Sequence, residues 1–166
     1  MKYRQDSRTK DEFAKDIKKC SEIEKTLISA YVSDIISKTG QKYTWRASNS
    51  LADGNLVENN KHVTTEADFI IIQPDGCENG VEIKFSRKNS DVFRLKISQI
   101  KSYIKQGCDV VTFMGIDSNT PKYNILKTSD LQTLLETLPT EYFHPWKRDV
   151  KRILSKDCLW YTIDKI

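Results

Sequence analysis

A chain of 166 residues with 38% hydrophobic content can bury one core but has no room for two, so a single domain is expected. The sequence has no apolar run of membrane-spanning length and no apolar segment behind Met1-Lys2-Tyr3-Arg4-Gln5-Asp6, and its four cysteines (Cys20, Cys77, Cys108, Cys158) form no CxxC pair beside a histidine, which argues against a membrane span, a signal peptide, a zinc site and a disulfide framework. The expectation is a soluble, cytoplasmic protein with reduced thiols, and a net charge of +4 permits a nucleic-acid partner without singling one out.

From about Lys10 to Lys38 the pattern is helical: Phe13, Ile17, Cys20, Leu27, Tyr31 and Ile35 recur at intervals of three, four or seven, and Gly40 is a stop signal. Glu24 falls on that apolar stripe, four residues after Cys20 and three before Leu27, where an unpaired carboxylate is costly. It is either a stripe-edge residue paired with a lysine or part of a site. Glu22 lies on the polar side with Lys15, Lys18, Lys19 and Ser29 and needs only solvation. Tyr43 to Ala47 is a short β-prone run, and a polar loop follows from Ser48 to His62.

The next segment carries the chemistry. Asp68-Phe69-Ile70-Ile71-Ile72 reads as a strand buried on both faces, and Pro74 to Gly80 is turn chemistry. The strand Gly80 to Ser86 alternates strictly, so Val81, Ile83 and Phe85 share one face while Glu82 and Lys84 share the other. Antiparallel pairing around the turn would bring Asp68 close to Glu82 and Lys84. Further on, Val92, Leu95 (or Phe93), Ile97, Ile100 and Ile104 read as a second helix ending at Gln106-Gly107, and Asp109 to Gly115 as a buried strand. Tyr123 to Leu126 reads as another strand, Ser129 to Leu138 as a short capped helix, and Pro145 to Leu154 as a basic helix. The expected fold is an α/β core with a mixed sheet.

Three carboxylates, Glu24, Asp68 and Glu82, with Lys84 beside them make an oxygen-rich set of the kind that holds Mg²⁺ or Mn²⁺. A hard divalent cation neutralises their mutual repulsion and polarises a phosphoryl oxygen. Lys84, its pKa lowered by partial burial and raised by the carboxylates, can position or deprotonate a water, or stabilise the charge that develops. Such chemistry is phosphodiester hydrolysis.

Asp68, followed fourteen residues on by Glu82-Ile83-Lys84, resembles the PD-(D/E)xK nuclease superfamily. That resemblance, over about residues 13 to 116, implies a restriction-endonuclease-like αβββαβ core: a central mixed β-sheet flanked by helices, with the acidic residue and the E-x-K on adjacent strands. Ala67 stands where the family nominally has proline, and Glu66 is an alternative ligand. Glu24, with Leu27, Ile28 and Tyr31 behind it, is similar to the extra helix carboxylate of archaeal Holliday-junction resolvases. Gln99 and Tyr103 resemble the Q-x3-Y motif of RecB-like nucleases. The resemblance implies Asp68, Glu82 and Glu24 as metal ligands, Lys84 and Gln99 as further catalytic residues, DNA as partner, and a possible homodimer.

Arg87, Lys88, Arg94, Lys96 and Lys101 cluster just after the E-x-K strand, where with Tyr103 they would bind the nucleic acid; a solvated face is the plainer reading of such a run. Trp146 with Lys147, Arg148, Lys151 and Arg152 would either grip a backbone and stack a base, or pack inward. The chain thus reads as one nuclease domain over residues 1–166, with a core at about 13–116 and a helical, basic extension at about 117–166. The expected function is a metal-dependent deoxyribonuclease, an endonuclease selective for DNA structure, ends or a short site. The alternatives are a non-catalytic nucleic-acid-binding module that keeps the fold, or a regulatory partner whose cluster is an ion-pair network.

Overall fold

The computed structural model describes residues 9–48 and 67–164 together with Ile166, and the side chains of residues 10, 13 and 14 are left aside. The loop at Ser48 to His62 and Glu66 therefore lie almost wholly outside the described residues.

Helix α1 (Lys10–Thr39) begins where the sequence supplies a reciprocal cap: the Thr9 hydroxyl accepts from the Glu12 backbone N–H at 3.2 Å, and the Glu12 carboxylate accepts from that of Thr9 at 2.7 Å. It ends at Gly40, left-handed at φ 65°, whose N–H closes on the Ile36 carbonyl. Its inner face buries Leu27, Ile28, Tyr31 and Val32, of which a fully buried leucine or isoleucine contributes roughly 1.5–3 kcal/mol. Cys20, expected on the same stripe, is exposed.

Strand β1 (Thr44–Ala47) pairs antiparallel with β2 (Phe69–Ile72), which forms the expected hairpin with β3 (Glu78–Ser86). The described part of β2 is buried mainly on one face, through Phe69 and Ile71; Ile70 and Ile72 are half-buried, so the run of four apolar residues marks one buried face and one partly covered face. β3 then runs parallel to β5 (Asp109–Met114), and β6 (Lys122–Leu126) and β9 (Tyr161–Thr162) complete a six-stranded mixed sheet in the order β1-β2-β3-β5-β6-β9. Val81 and Ile83 face α1 with Val111 and Phe113, while Val110 faces α2 (Ile97–Gln106) and α3 (Thr128–Thr137). The core is thus an α/β sandwich around one sheet.

Two expectations change. Val92–Lys96, expected as the start of the second helix, is strand β4, and Arg148–Leu154, expected as a basic helix, is strand β8. With β7 (Thr140–Phe143) they form a second sheet in the order β4-β8-β7. Val92-Phe93-Arg94-Leu95-Lys96 satisfies a period of two as well as a helical one, and only pairing along β8 decides between them. A turn of 3-10 helix, His144–Trp146, links β7 to β8. The C-terminal third is consequently no appended helical extension: it supplies β6 and β9 to the main sheet and β7 and β8 to the second.

Candidate active site

The hairpin register sets Phe69 against Val81, which carries Asp68, one residue earlier, to the level of Glu82. Strand alternation sends Glu82 and Lys84 to the face opposite the α1 core, as expected. The Lys84 ammonium forms a short ion pair with Glu82 Oε1. The Tyr103 hydroxyl, from α2, donates to the same oxygen at 2.8 Å. Glu82 is therefore buried, at 6% exposure, with a cation and a neutral donor on one oxygen.

The remaining carboxyls feel this cluster. Burial first, then the charges of Glu82 and Glu24, push the Asp68 carboxyl up to about 8, with Lys84 opposing, and Asp68 lies within hydrogen-bonding reach of Glu82. Burial raises Glu24 to about 7, opposed by Lys84 and reinforced by Glu82. Burial alone would depress Lys84, but Glu82, Asp68 and Glu24 outweigh it and hold the amine protonated above its usual range. Three carboxyls share the surroundings of one ammonium, and burial with mutual repulsion keeps two of them, Asp68 and Glu24, from ionising in their ordinary range; that strained sharing is the defining property of the site.

Tyr103, expected to touch nucleic acid, is only 3% exposed, and its hydroxyl donates to Glu82. Gln99 lies one turn earlier on α2 and is half-buried. Of the basic residues, Arg87, Lys88 and Lys101 are exposed. Arg87 pairs with Asp117 at 3.0 Å, and its charge also reaches Cys20, one turn before Glu24 on α1. Arg94 and Lys96 are otherwise engaged: the Arg94 guanidinium sits 4.5 Å from the Phe143 ring centre and 3.9 Å from Glu141, and the Lys96 ammonium 5.6 Å from that of Trp146. Lys151 is buried, its ammonium on the Leu138 carbonyl, and so leaves the set of candidate phosphate contacts.

Among the described residues, no group of three or more His, Cys, Asp or Glu side chains stands arranged to hold a metal ion. The expected three-carboxylate cage is not preassembled, because Glu82 is turned to Lys84 and Tyr103. The donor set nevertheless fits a hard divalent cation of the Mg²⁺ type, which keeps several waters and takes only one or two carboxylates, here Asp68 and Glu82. Two site residues had no local signal in the sequence: Thr112, placed beside Lys84 by the parallel register, and Phe143, brought in by the second sheet.

No family model and no curated protein matches the sequence. A structural comparison aligns the chain with Hjc, a Holliday junction resolvase from the archaeal hyperthermophile Archaeoglobus fulgidus, over 76% of this chain and 85% of that one, at 7% identity and a TM-score of 0.38. So distant a likeness carries no functional weight. Independently of it, the main sheet and its helices follow the order α1-β1-β2-β3-α2-β5, the αβββαβ sequence expected of the fold, with β4 inserted before α2.

Proposed function

We propose that this chain is a divalent-metal-dependent nuclease that hydrolyses phosphodiester bonds in DNA. The single observation carrying the reading is the partly buried Glu82–Lys84 ion pair at the mouth of the β2–β3 hairpin, with the Asp68 and Glu24 carboxyls near enough to feel both charges and driven well above their ordinary range. Carboxyls that can ionise together only against burial and mutual repulsion are retained at a cost to stability, and a bound cation is the simplest compensation.

In this reading Asp68 and Glu82 hold the metal, Mg²⁺ or Mn²⁺, and Glu24 supplies a third carboxylate. When bound, the cation would polarise the phosphoryl oxygen and neutralise the acidic site toward an anionic substrate. Tyr103 fixes the direction of Glu82. Lys84, protonated, stabilises the negative charge that builds on the phosphate oxygens, the role for which a preorganised donor in a poorly solvated site is most effective. Arg87, Lys88 and Lys101 would hold the DNA backbone. Selectivity for structure, ends or a short site, and pairing of two copies, are extensions of the same reading.

A second reading is favoured by the closed Lys84–Glu82 pair and by the lack of a three-ligand group among the described residues: a nucleic-acid-binding module whose cluster is an ion-pair network. Titration calorimetry with Mg²⁺ and Mn²⁺, followed by cleavage assays on linear, circular, branched and single-stranded DNA, separates the two. Metal binding that is lost in Asp68→Asn, together with cleavage, supports the nuclease. Absence of both leaves the binding module.

A further inference from the structure

Lys84 belongs to two surroundings. One side of it is the carboxylate cluster; the other is a cleft of about 340 Å³ lined by Lys84, Arg94, Thr112, Met114, Phe143 and Trp146 among others. This cleft lies between the main sheet and the second sheet, near the lower end of the size range of small-ligand pockets. It is too small for a duplex or a helix.

Its outer wall is built from alternating cations and rings. Arg94 lies over Phe143 at 4.5 Å, Phe143 meets Trp146 edge to face with centroids 5.0 Å apart, and Lys96 stands 5.6 Å from the Trp146 ring. Although Trp146 is 36% exposed, its ring is held in place by these partners. The backbone beside it is strained: Lys147 has φ 49°, the one non-glycine residue with positive φ among the described residues. Left-handed geometry costs such a residue roughly 1–2 kcal/mol, and strain of this kind collects where a side chain is being aimed.

The cleft also holds buried polar atoms that make no hydrogen bond. Thr112 is opposite Lys84 in the β3–β5 register and is 4% exposed. Its hydroxyl is buried with no hydrogen-bond partner among the described residues; the Arg94 Nε also makes no hydrogen bond, its nearest charged neighbour being the Glu141 carboxylate at 3.9 Å. An orphaned buried polar atom costs about 1–3 kcal/mol, a cost relieved when a ligand brings the missing partner.

A flat aromatic occupant with hydrogen-bonding atoms on its edge, tethered to a phosphate, matches all three features. We propose that the cleft beside Lys84 receives an unpaired nucleobase of the substrate strand, stacked on Trp146 with Phe143 meeting it edge to face, while the adjoining phosphate lies at Lys84. A base within a duplex cannot enter without leaving the stack, so the site would favour DNA that already carries an unpaired nucleotide next to the scissile phosphate, such as a single strand, bulge or branch. This deepens the nuclease reading and rests on it.

The test uses the full chain in EDTA and again in Ca²⁺, with three oligonucleotides carrying 2-aminopurine at one position: single-stranded, fully paired, and paired except for one unpaired nucleotide at the probe. Wild-type protein should bind the two unpaired forms more tightly than the paired one and change their probe fluorescence. Trp146→Ala should weaken binding of the unpaired forms by about tenfold, the scale of one lost base–aromatic stack, and leave paired DNA unchanged. Trp146→Phe should restore most of the difference, and Phe143→Leu should reduce it in a protein whose melting temperature confirms folding. Equal losses on paired and unpaired DNA, or no loss, overturn the inference. If wild-type protein still cleaves in Mg²⁺ in that case, the nuclease reading stands without it. If wild-type protein neither binds nor cleaves any of the three, both readings fall together.

Discussion

The Tyr103 hydroxyl donates to Glu82 Oε1 at 2.8 Å, on the same oxygen that carries the Lys84 ion pair. Helix α2 is thereby tied to the E-x-K strand through a buried, charge-assisted bond. Tyr103→Phe keeps the ring in its packing against Ile100 and Leu131 but releases the carboxylate. Loss of an outer partner of this type costs about 10–100-fold in metal affinity or turnover. Cleavage by Tyr103→Phe should fall in that range while DNA affinity in Ca²⁺ holds. Undiminished cleavage would show that Lys84 alone is enough to orient Glu82.

Lys84 balances three carboxyls, so its removal should act differently on binding and on chemistry. Lys84→Ala frees Glu82 from its ion pair, and metal affinity should be retained or rise. Cleavage should drop by at least about a hundredfold, the usual cost of a lost electrostatic donor. Metal titration and single-turnover cleavage on the same preparation measure both quantities. A variant that cleaves as well as wild type removes Lys84 from the mechanism.

Glu24 and Glu22 differ by two positions on α1 and so by face: Glu24 is half-buried, Glu22 exposed. Glu24→Gln removes a repulsive charge from the cluster and should stabilise the metal-free protein at alkaline pH, yet lose most activity. Glu22→Gln should change neither. Thermal melts without metal and cleavage with it give the comparison; the reverse pattern would place Glu22 at the site.

Asp68 and Glu24 hold their protons to about 8 and about 7, whereas unfolded carboxyls release them near pH ~4. Between those limits the native state binds more protons than the unfolded one. Stability of the metal-free protein should therefore fall as pH rises through that window; the destabilisation is absent below about pH 4 and complete above about pH 8. A divalent cation takes the deprotonated carboxylates, so its binding releases protons and strengthens with pH. Added Mg²⁺ or Mn²⁺ should raise the melting temperature much more at about pH 8 than at about pH 5. An equal rise at both values would mean that the cation sits elsewhere.

What the sequence disclosed about this protein was local. The alternation of Val81, Ile83 and Phe85 with Glu82 and Lys84 fixed the faces of β3, and the turn chemistry read at Pro74 to Gly80 pointed to its hairpin partner, although β3 begins earlier, at Glu78, so the level of Asp68 followed only approximately. The α1 cap and its Gly40 stop were equally readable. The second sheet was not, because β4 and β8 are far apart in sequence and each carries a pattern compatible with a helix; their antiparallel pairing is a non-local fact. Tyr103 had a signal in its spacing from Gln99, but only the packing of α2 on β3 reveals that it serves a carboxylate. Thr112 and Phe143 had none, since both enter the site through strand neighbours.

The exposed cations decide how the DNA would be gripped. Arg87 is paired with Asp117 at 3.0 Å, but both side chains are about half exposed, and such a pair contributes about 0–1 kcal/mol, little enough for a phosphate to displace Asp117. Lys88 and Lys101 are also exposed, whereas Arg94 is packed on Phe143 and would disturb the second sheet if removed. Replacing Arg87, Lys88 and Lys101 by alanine, singly and together, should weaken DNA binding about equally for every sequence, and each lost phosphate contact should make the log-log salt slope shallower by about 0.9. Ca²⁺ and the Lys84→Ala background keep binding apart from turnover. A slope unchanged in the triple variant would make these charges a solvated face, and the backbone grip would then fall to Lys147, Arg148 and Arg152, which are exposed around the turn that presents Trp146.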